Sequence, residues 1–162
     1  MLLKDLIEQY ADYEVKDGIM DFLERPKPKS IWDLKDGDTY FYLYDNGIVC
    51  SDQWDNKYTD NKRRDIGNIF LTREEAVFEK CKIEVYKQVK RFAHEFSIDE
   101  WKDKHIYKYY PYFDCGEGVI RKYHDVFVRR NSLYFKSCEN IQKAIEAVGE
   151  EDFIKYYLGV RE

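Results

Sequence analysis

The chain has 162 residues, a length typical of one domain with a substantial hydrophobic core, and its formal net charge is −5. Binding to a phosphate backbone requires a basic face, so this charge argues against direct nucleic-acid binding, and it is too weak for an acidic mimic of DNA. Aromatic residues make up 17% of the chain, which favours a large buried surface with phenol groups left at its edges.

The four cysteines are scattered, and no two of them form the close pair that a zinc site uses. They are also too few for the disulfide scaffold of a small secreted protein. We therefore expect reduced, mostly buried thiols and neither a metal site nor a cofactor. No apolar run approaches the length of a membrane span, so we expect no contact with a membrane. The cysteines are Cys50, Cys81, Cys115 and Cys138.

The first 28 residues predict a helical segment followed by a linker. Apolar residues recur at helical spacing up to about residue 15, Gly18 interrupts the pattern, and Pro26 and Pro28 end any helix. Such a segment either packs on the body of the protein or mediates assembly into a homo-oligomer. The predicted stripe consists of Leu2, Leu3, Leu6, Ile7, Tyr10 and Tyr13.

Residues 29–97 predict a first β-β-β-α unit. Two runs of β-branched and aromatic residues, 39–44 and 48–54, flank Asn46-Gly47, which is a strong hairpin signal. A polar loop over 55–65 and a short strand over 68–71 follow. Thr72 and Glu75 predict a capping box that opens a helix ending near Ser97. The apolar stripe of this helix is predicted to contain Val77, Cys81, Val85, Val89, Phe92 and Phe96.

Residues 98–162 predict a second unit of the same kind. Tyrosine-rich residues 105–113 form a strand that Pro111 favours at a sheet edge, and strands over 119–128 and 132–135 follow. Ser137 caps a helix that Gly149 closes. The fold class is therefore α+β, a leading helix and two β-β-β-α units with antiparallel sheets. Because Phe70 aligns with Phe135 and Thr72 with Ser137, we interpret the two units as an internal duplication within one compact domain.

Catalytic motifs are absent from the sequence, which has no nucleophile elbow, zinc-protease helix, phosphate-binding P-loop or dinucleotide fingerprint. The three histidines are far apart. His124 and Asp125 are adjacent on a predicted strand, where neighbouring side chains point to opposite faces. We therefore predict that the protein is not an enzyme.

The candidate binding site is the polar stretch after the second strand. Arginines supply fixed bidentate donors, asparagines form amide hydrogen bonds, and a tryptophan offers a stacking surface, so the set suits a small anionic ligand or a protein partner. The alternative is an Asn- and Asp-rich loop in which Arg64 pairs with Asp60 or Asp65 and Trp54 is core. The candidates are Trp54, Asp55, Asn56, Asn61, Arg63, Arg64, Asp65 and Asn68, with Tyr107, Tyr109 and Tyr110 on the tyrosine strand as a further surface.

Two runs carry a resemblance to a known group of proteins. They are W-x-L-x-x-G-D-x-Y over 32–40 and G-N-x-F-x-T-x-E-E-A over 67–76. With these runs the chain resembles small uncharacterised proteins of bacteriophages and prophages of Gram-positive bacteria, well over 31–96 and more loosely over 135–160. The resemblance implies a phage accessory protein acting in the cytoplasm of the bacterial host, and it brings no active site with it.

The first functional hypothesis is a non-enzymatic inhibitor of a bacterial immune system that binds a host defence protein, because tyrosine-rich surfaces favour protein interfaces. A second is a sponge that sequesters a cyclic or ADP-ribose-type nucleotide messenger, for which aromatic residues and arginines in one loop are suited. A third is a minor virion or assembly protein.

Overall fold

The structure is a computed structural model, and it describes residues 28–127 and 132–160. The predicted N-terminal helix lies outside the described residues. Over the described residues the protein is α+β, with two separate two-stranded antiparallel sheets and a set of helices. A single 3₁₀ turn, Ile31–Asp33, precedes the first sheet.

The first hairpin pairs β1, Thr39–Leu43, with β2, Val49–Gln53. Its turn contains Asn46 and Gly47, as the sequence predicts. Gly47 has a φ of +79°, a conformation that side chains with a Cβ rarely adopt. The Asn46 carboxamide accepts a hydrogen bond of 3.0 Å from the Ile48 N–H, which holds the turn closed.

The predicted third strand of the first unit is reduced to one residue pair, Phe41 and Phe70, which exchange two backbone hydrogen bonds of 2.9 Å. The next pair of an antiparallel ladder would join Leu43 to Asn68. There the Asn68 side chain replaces the backbone, since its amide donates to the Leu43 carbonyl and accepts from the Leu43 N–H, both at 2.8 Å. The side chain thus ends the strand.

The prediction of a loop over 55–65 is wrong, because this stretch contains helix α1, Tyr58–Asp65. The helix has almost no apolar stripe, so hydrophobic periodicity does not reveal it. Polar contacts hold it instead. Asn56 has a positive φ of +58°, and the Asn61 amide donates to the backbone carbonyls of Asn56 and Lys57, both at 3.0 Å.

Helix α2, Arg73–Lys90, begins with the predicted capping box, in which Thr72 and Glu75 bond each other's backbone N–H groups. It ends at Lys90 rather than near Ser97, and the His94 N–H donates to the Tyr134 carbonyl at 2.8 Å instead of continuing the helix. Ser97 and Glu100 form a second capping box that starts a new short helix, α3, Ile98–Lys102. Val85 and Val89 are buried as predicted, whereas Val77 is 41% exposed and Ala76 takes the buried position of the first turns.

The second hairpin pairs β3, Lys108–Asp114, with β4, Val119–Asp125, so the tyrosine strand begins three residues later than predicted. Tyr109 and Phe135 form a single bridge, which again replaces the predicted third strand. Ser137 caps helix α4, Cys138–Val148, and Gly149 ends it with a φ of +88°, as predicted. A short helix α5, Glu150–Asp152, continues into a π-helical turn, Phe153–Tyr157.

The core consists of two hydrophobic clusters. The first cluster joins the first hairpin to its flanking segments and contains Leu34, Tyr40, Trp54 and Ile69. The second cluster joins α2, α4 and the π-helical turn and contains Val85, Val89, Phe135, Ile141, Ala144, Ile145 and Phe153. The expectation of mostly buried cysteines is wrong, since Cys115 in the second hairpin turn and Cys138 at the start of α4 are exposed, and Cys50 and Cys81 are half-buried.

Candidate binding site

A buried carboxylate lies between α1 and the first hairpin. Asp60 is 3% exposed, and its two oxygens accept hydrogen bonds from the Tyr40 hydroxyl at 2.7 Å and from the Asp55 N–H at 2.9 Å. Burial raises the pKa of Tyr40 far above its ordinary value, and the hydrogen bond to Asp60 acts in the same direction. Asp60 therefore anchors α1 to β1 through a neutral phenol.

Arg63 belongs to the same hydrogen-bond network. Its Nη1 donates to the Tyr40 hydroxyl at 2.5 Å and to Asp52 Oδ2 at 2.9 Å, and its guanidinium carbon lies 3.6 Å from the centre of the Tyr42 ring. Burial opposes the charged form, but the hydrogen bonds that Arg63 donates to Asp52 and Tyr40 leave its pKa raised. Its contacts within the protein point to a positioning role for this arginine.

Arg64 lies between two tryptophans. Its guanidinium carbon is 5.0 Å from the Trp32 ring centre and 4.8 Å from the Trp54 ring centre, distances at which cation–π attraction is significant. Its Nη2 donates to Asn61 Oδ1 at 2.6 Å, whereas its Nε is buried and has no hydrogen-bond partner among the described residues. Trp54 is 4% exposed, so the core alternative describes it correctly, although Arg64 bonds Asn61 rather than an aspartate.

The other predicted site residues of this stretch mostly serve the local fold. Asn61 fastens Asn56 and Lys57 to α1, and Asn68 pairs with the backbone of Leu43. Asp55 is ion-paired with Lys57, and this hydrogen bond lowers the pKa of Asp55 below its ordinary value. Asp65 is exposed and lies 3.7 Å from Lys62.

This region carries three large, exposed side chains that the sequence analysis does not select. Tyr58 is 77% exposed, Ile66 76% and Trp32 67%. Tyr58, Lys62 and Ile66 follow one another at intervals of four, so they share one side of α1, and Lys62 Nζ lies 5.6 Å from the Tyr58 ring centre. That spacing is the signal that would have found them. We call Trp32, Tyr58, Lys62, Arg64 and Ile66 the α1 surface.

The three predicted tyrosines lie on or beside the other hairpin and not with the α1 surface. Tyr107 and Tyr109 surround His124, with ring centres 4.5 and 5.6 Å from the imidazole. Tyr110 is 9% exposed, and its ring lies 5.8 Å from that of Tyr134. The predicted site residues therefore form two groups, one around each hairpin.

Three further observations bear on function. Among residues 28–127 and 132–160, no group of three or more His, Cys, Asp or Glu side chains is arranged to hold a metal ion. Within the same part of the chain, no helix has both the length and the apolar character that crossing a membrane requires. Comparisons with protein-family models, with curated proteins and with solved structures give no match to this chain.

Proposed function

We propose that this protein is a non-enzymatic bacteriophage accessory protein that inhibits a bacterial immune system by binding a host defence protein through the α1 surface. The observation that carries the proposal is the exposure of two large aromatic residues, Trp32 beside α1 and Tyr58 on it, at 67% and 77%. Tryptophan, tyrosine and arginine dominate the energetics of protein interfaces, whereas large aromatic residues are otherwise mostly covered.

The internal network supports this assignment by making the surface rigid. Arg64 contacts the rings of both Trp32 and Trp54, and Trp54 is part of the first cluster. Arg63 and Asp60 hold α1 against β1. A partner then meets a Trp32 ring that Arg64 already holds in place, so less conformational entropy is lost there on binding. In this proposal Arg63 acts through Tyr40 and Asp60, and Arg64 supports Trp32.

The nucleotide-sponge alternative has less support from the same geometry. A phosphate requires donors that point outward, whereas Arg63 is hydrogen-bonded to Asp52 and Tyr40 and Arg64 to Asn61. Under this alternative a cyclic dinucleotide or an ADP-ribose derivative raises the melting temperature by linkage. A minor virion or assembly role remains a separate alternative, which predicts that the protein copurifies with phage particles.

Further parts of the proposal concern origin and organisation. We infer that the two halves arose by duplication, because the bridges Phe41–Phe70 and Tyr109–Phe135 both precede a helix capped by a hydroxyl side chain, Thr72 or Ser137. Residues 29–97 and 98–162 would be the two repeats of one compact domain. The protein would act in the host cytoplasm, with a homo-oligomer as a possible assembly.

The test is co-expression of the protein with a panel of bacterial defence systems, followed by a phage plating assay. Wild-type protein should restore plating on at least one defended host. The double variant Trp32→Ala/Tyr58→Ala should lose at least about tenfold of that restoration, since interface hot spots contribute on the order of 2 kcal/mol or more. Its melting curve should change little, because both side chains are mostly exposed.

A matched control is Tyr44→Ala/Ile48→Ala, which removes one aromatic and one aliphatic side chain, exposed by 53% and 56%, from the turn of the first hairpin. This control should retain full activity. If a folded Trp32→Ala/Tyr58→Ala variant restores plating fully, the binding site lies outside the α1 surface. The tyrosines of the second hairpin would then be the next candidates. Failure of the wild type on every defended host would contradict the proposal as a whole.

A further inference from the structure

A second surface lies apart from the α1 surface. It is an open groove of 1040 Å³ between the first turns of α2 and the C-terminal π-helical turn, and none of the predicted site residues lines it. Its volume exceeds the roughly 300–1,000 Å³ of pockets that enclose small molecules. Among the described residues its apolar lining consists of Phe70, Phe78, Phe113, Ile154 and Val160.

The rim of this groove is acidic. Four glutamates and one lysine line it, namely Glu74, Glu75, Glu79, Glu151 and Lys155. Glu75 is committed to the capping box, and Glu79 pairs with Lys82 at 2.8 Å. Glu74 and Glu151 are exposed and form no ion pair with any residue of 28–127 or 132–160. They are therefore the two rim carboxylates that remain for a ligand, and they outnumber the one lysine of the rim, Lys155.

We propose that this groove binds a helical segment of a partner protein, with large aliphatic or aromatic residues on one side of the helix and lysine or arginine on the other. A long open groove between helical elements receives the apolar side of an amphipathic helix in a recurring mode of peptide recognition. The acidic rim lies where the polar side of such a helix would pass, so basic residues there are complementary in charge. This goes beyond the α1 surface and does not depend on it.

The N-terminal segment of the same chain is the obvious competitor for the groove. Its predicted stripe, Leu2 to Tyr13, has the required apolar side. However, residues 1–15 carry four acidic side chains and one lysine, so their polar side repels the rim. Charge therefore selects a basic partner over this segment.

Fluorescence anisotropy with three labelled peptides and the full chain tests the proposal. The first peptide has leucines on one helical side and lysines on the other, the second has glutamates in place of the lysines, and the third is residues 1–15 of this chain. The lysine peptide should bind most tightly, and rising salt should weaken it. Equal or tighter binding of either acidic peptide, or no binding of the lysine peptide, would overturn the proposal.

Two variants locate the binding. Glu74→Gln/Glu151→Gln should weaken the lysine peptide about fivefold, as expected for two exposed ion pairs. The matched control Glu95→Gln/Asp99→Asn removes two carboxylates exposed by 88% and 97% beyond the C-terminal end of α2, and should have no effect. Val160→Asp puts a carboxylate into the apolar lining and should abolish binding. If circular dichroism shows that Val160→Asp does not fold, the comparison of Glu74→Gln/Glu151→Gln with its control tests the location. Equal peptide affinity of these two double variants would show that the peptide binds outside the groove.

Discussion

Asp60 is buried, and its hydrogen bonds contribute to the free energy of unfolding. The carboxylate accepts hydrogen bonds from Tyr40 and from the Asp55 backbone, so its removal leaves two donors without their acceptor. The sequence placed Asp60 only as a possible partner of Arg64. Tyr40, which the structure makes its partner, lies 20 residues away on a strand, a distance over which no local pattern is informative.

Replacing Asp60 by alanine should lower the free energy of unfolding by about 3 kcal/mol, the cost of breaking a buried charged hydrogen-bond network. Urea unfolding measures the change. Asp65→Ala is the control, because Asp65 is an exposed acid on the same helix, and it should alter stability by no more than about 0.5 kcal/mol. Equal effects of the two substitutions would mean that the Asp60 network contributes nothing to stability.

The raised pKa of Tyr40 predicts a loss of stability at alkaline pH. The unfolded chain releases this phenol proton near pH 10, whereas the folded protein retains it, so the folded state binds more protons and stability falls as pH rises above about 10. The buried hydroxyl of Tyr157 acts in the same direction. In Tyr40→Phe the fall in unfolding free energy between pH 8 and pH 11 should be smaller than in the wild type. An identical fall in the two proteins would contradict this linkage.

At the scale of elements, the sequence predicts best what depends on a few adjacent residues. The Asn46-Gly47 turn, the Thr72–Glu75 capping box and the Ser137 cap are local, and all are present. Helix α1 was missed because polar contacts hold it rather than an apolar stripe. The sequence predicts the end of α2 too late, because the apolar spacing continues through Phe92 and Phe96 after the helix has ended at Lys90. Because the sequence predicts a loop over 55–65, the spacing of Tyr58, Lys62 and Ile66 is informative only once the helix is known.

Asn68 provides a test of an element boundary. Asn68→Ala should lower the free energy of unfolding by about 2 kcal/mol, because the backbone N–H and carbonyl of Leu43 both lose their partner. Asn68→Asp keeps an acceptor for the Leu43 N–H and should have a smaller effect. Amide hydrogen exchange at Leu43 should accelerate in the alanine variant. Unchanged exchange there would show that another group takes over the pairing.

In the whole molecule, α2 packs in the second cluster and also contacts the first hairpin. Val85 and Val89 lie in the second cluster, while the same helix also contacts β1 and β2. A rigid helix shared in this way couples the two halves, because neither can unfold without losing its packing against α2.

This coupling predicts a single unfolding transition. Phe153→Ala, in the second cluster, should lower stability by about 3–5 kcal/mol, since the ring is fully buried. With Trp32 and Trp101 both replaced by phenylalanine, tryptophan fluorescence reports on Trp54 in the first cluster, and circular dichroism reports on the helices. The unfolding midpoints measured by the two signals should fall to the same lower denaturant concentration. Separate midpoints for the two signals would mean that each half unfolds on its own.

The two small sheets also bear on self-association. Over residues 28–127 and 132–160 neither β2 nor β4 pairs with a third strand, so each offers an open row of backbone hydrogen-bonding groups. An open edge of this kind is a template on which a strand from another molecule can polymerise. Both strands carry charge, with Asp52 in β2 and Arg121, Lys122 and Asp125 in β4. Charges on an edge strand disfavour pairing with a strand of another molecule, so we expect these residues to oppose edge-to-edge association of the hairpins.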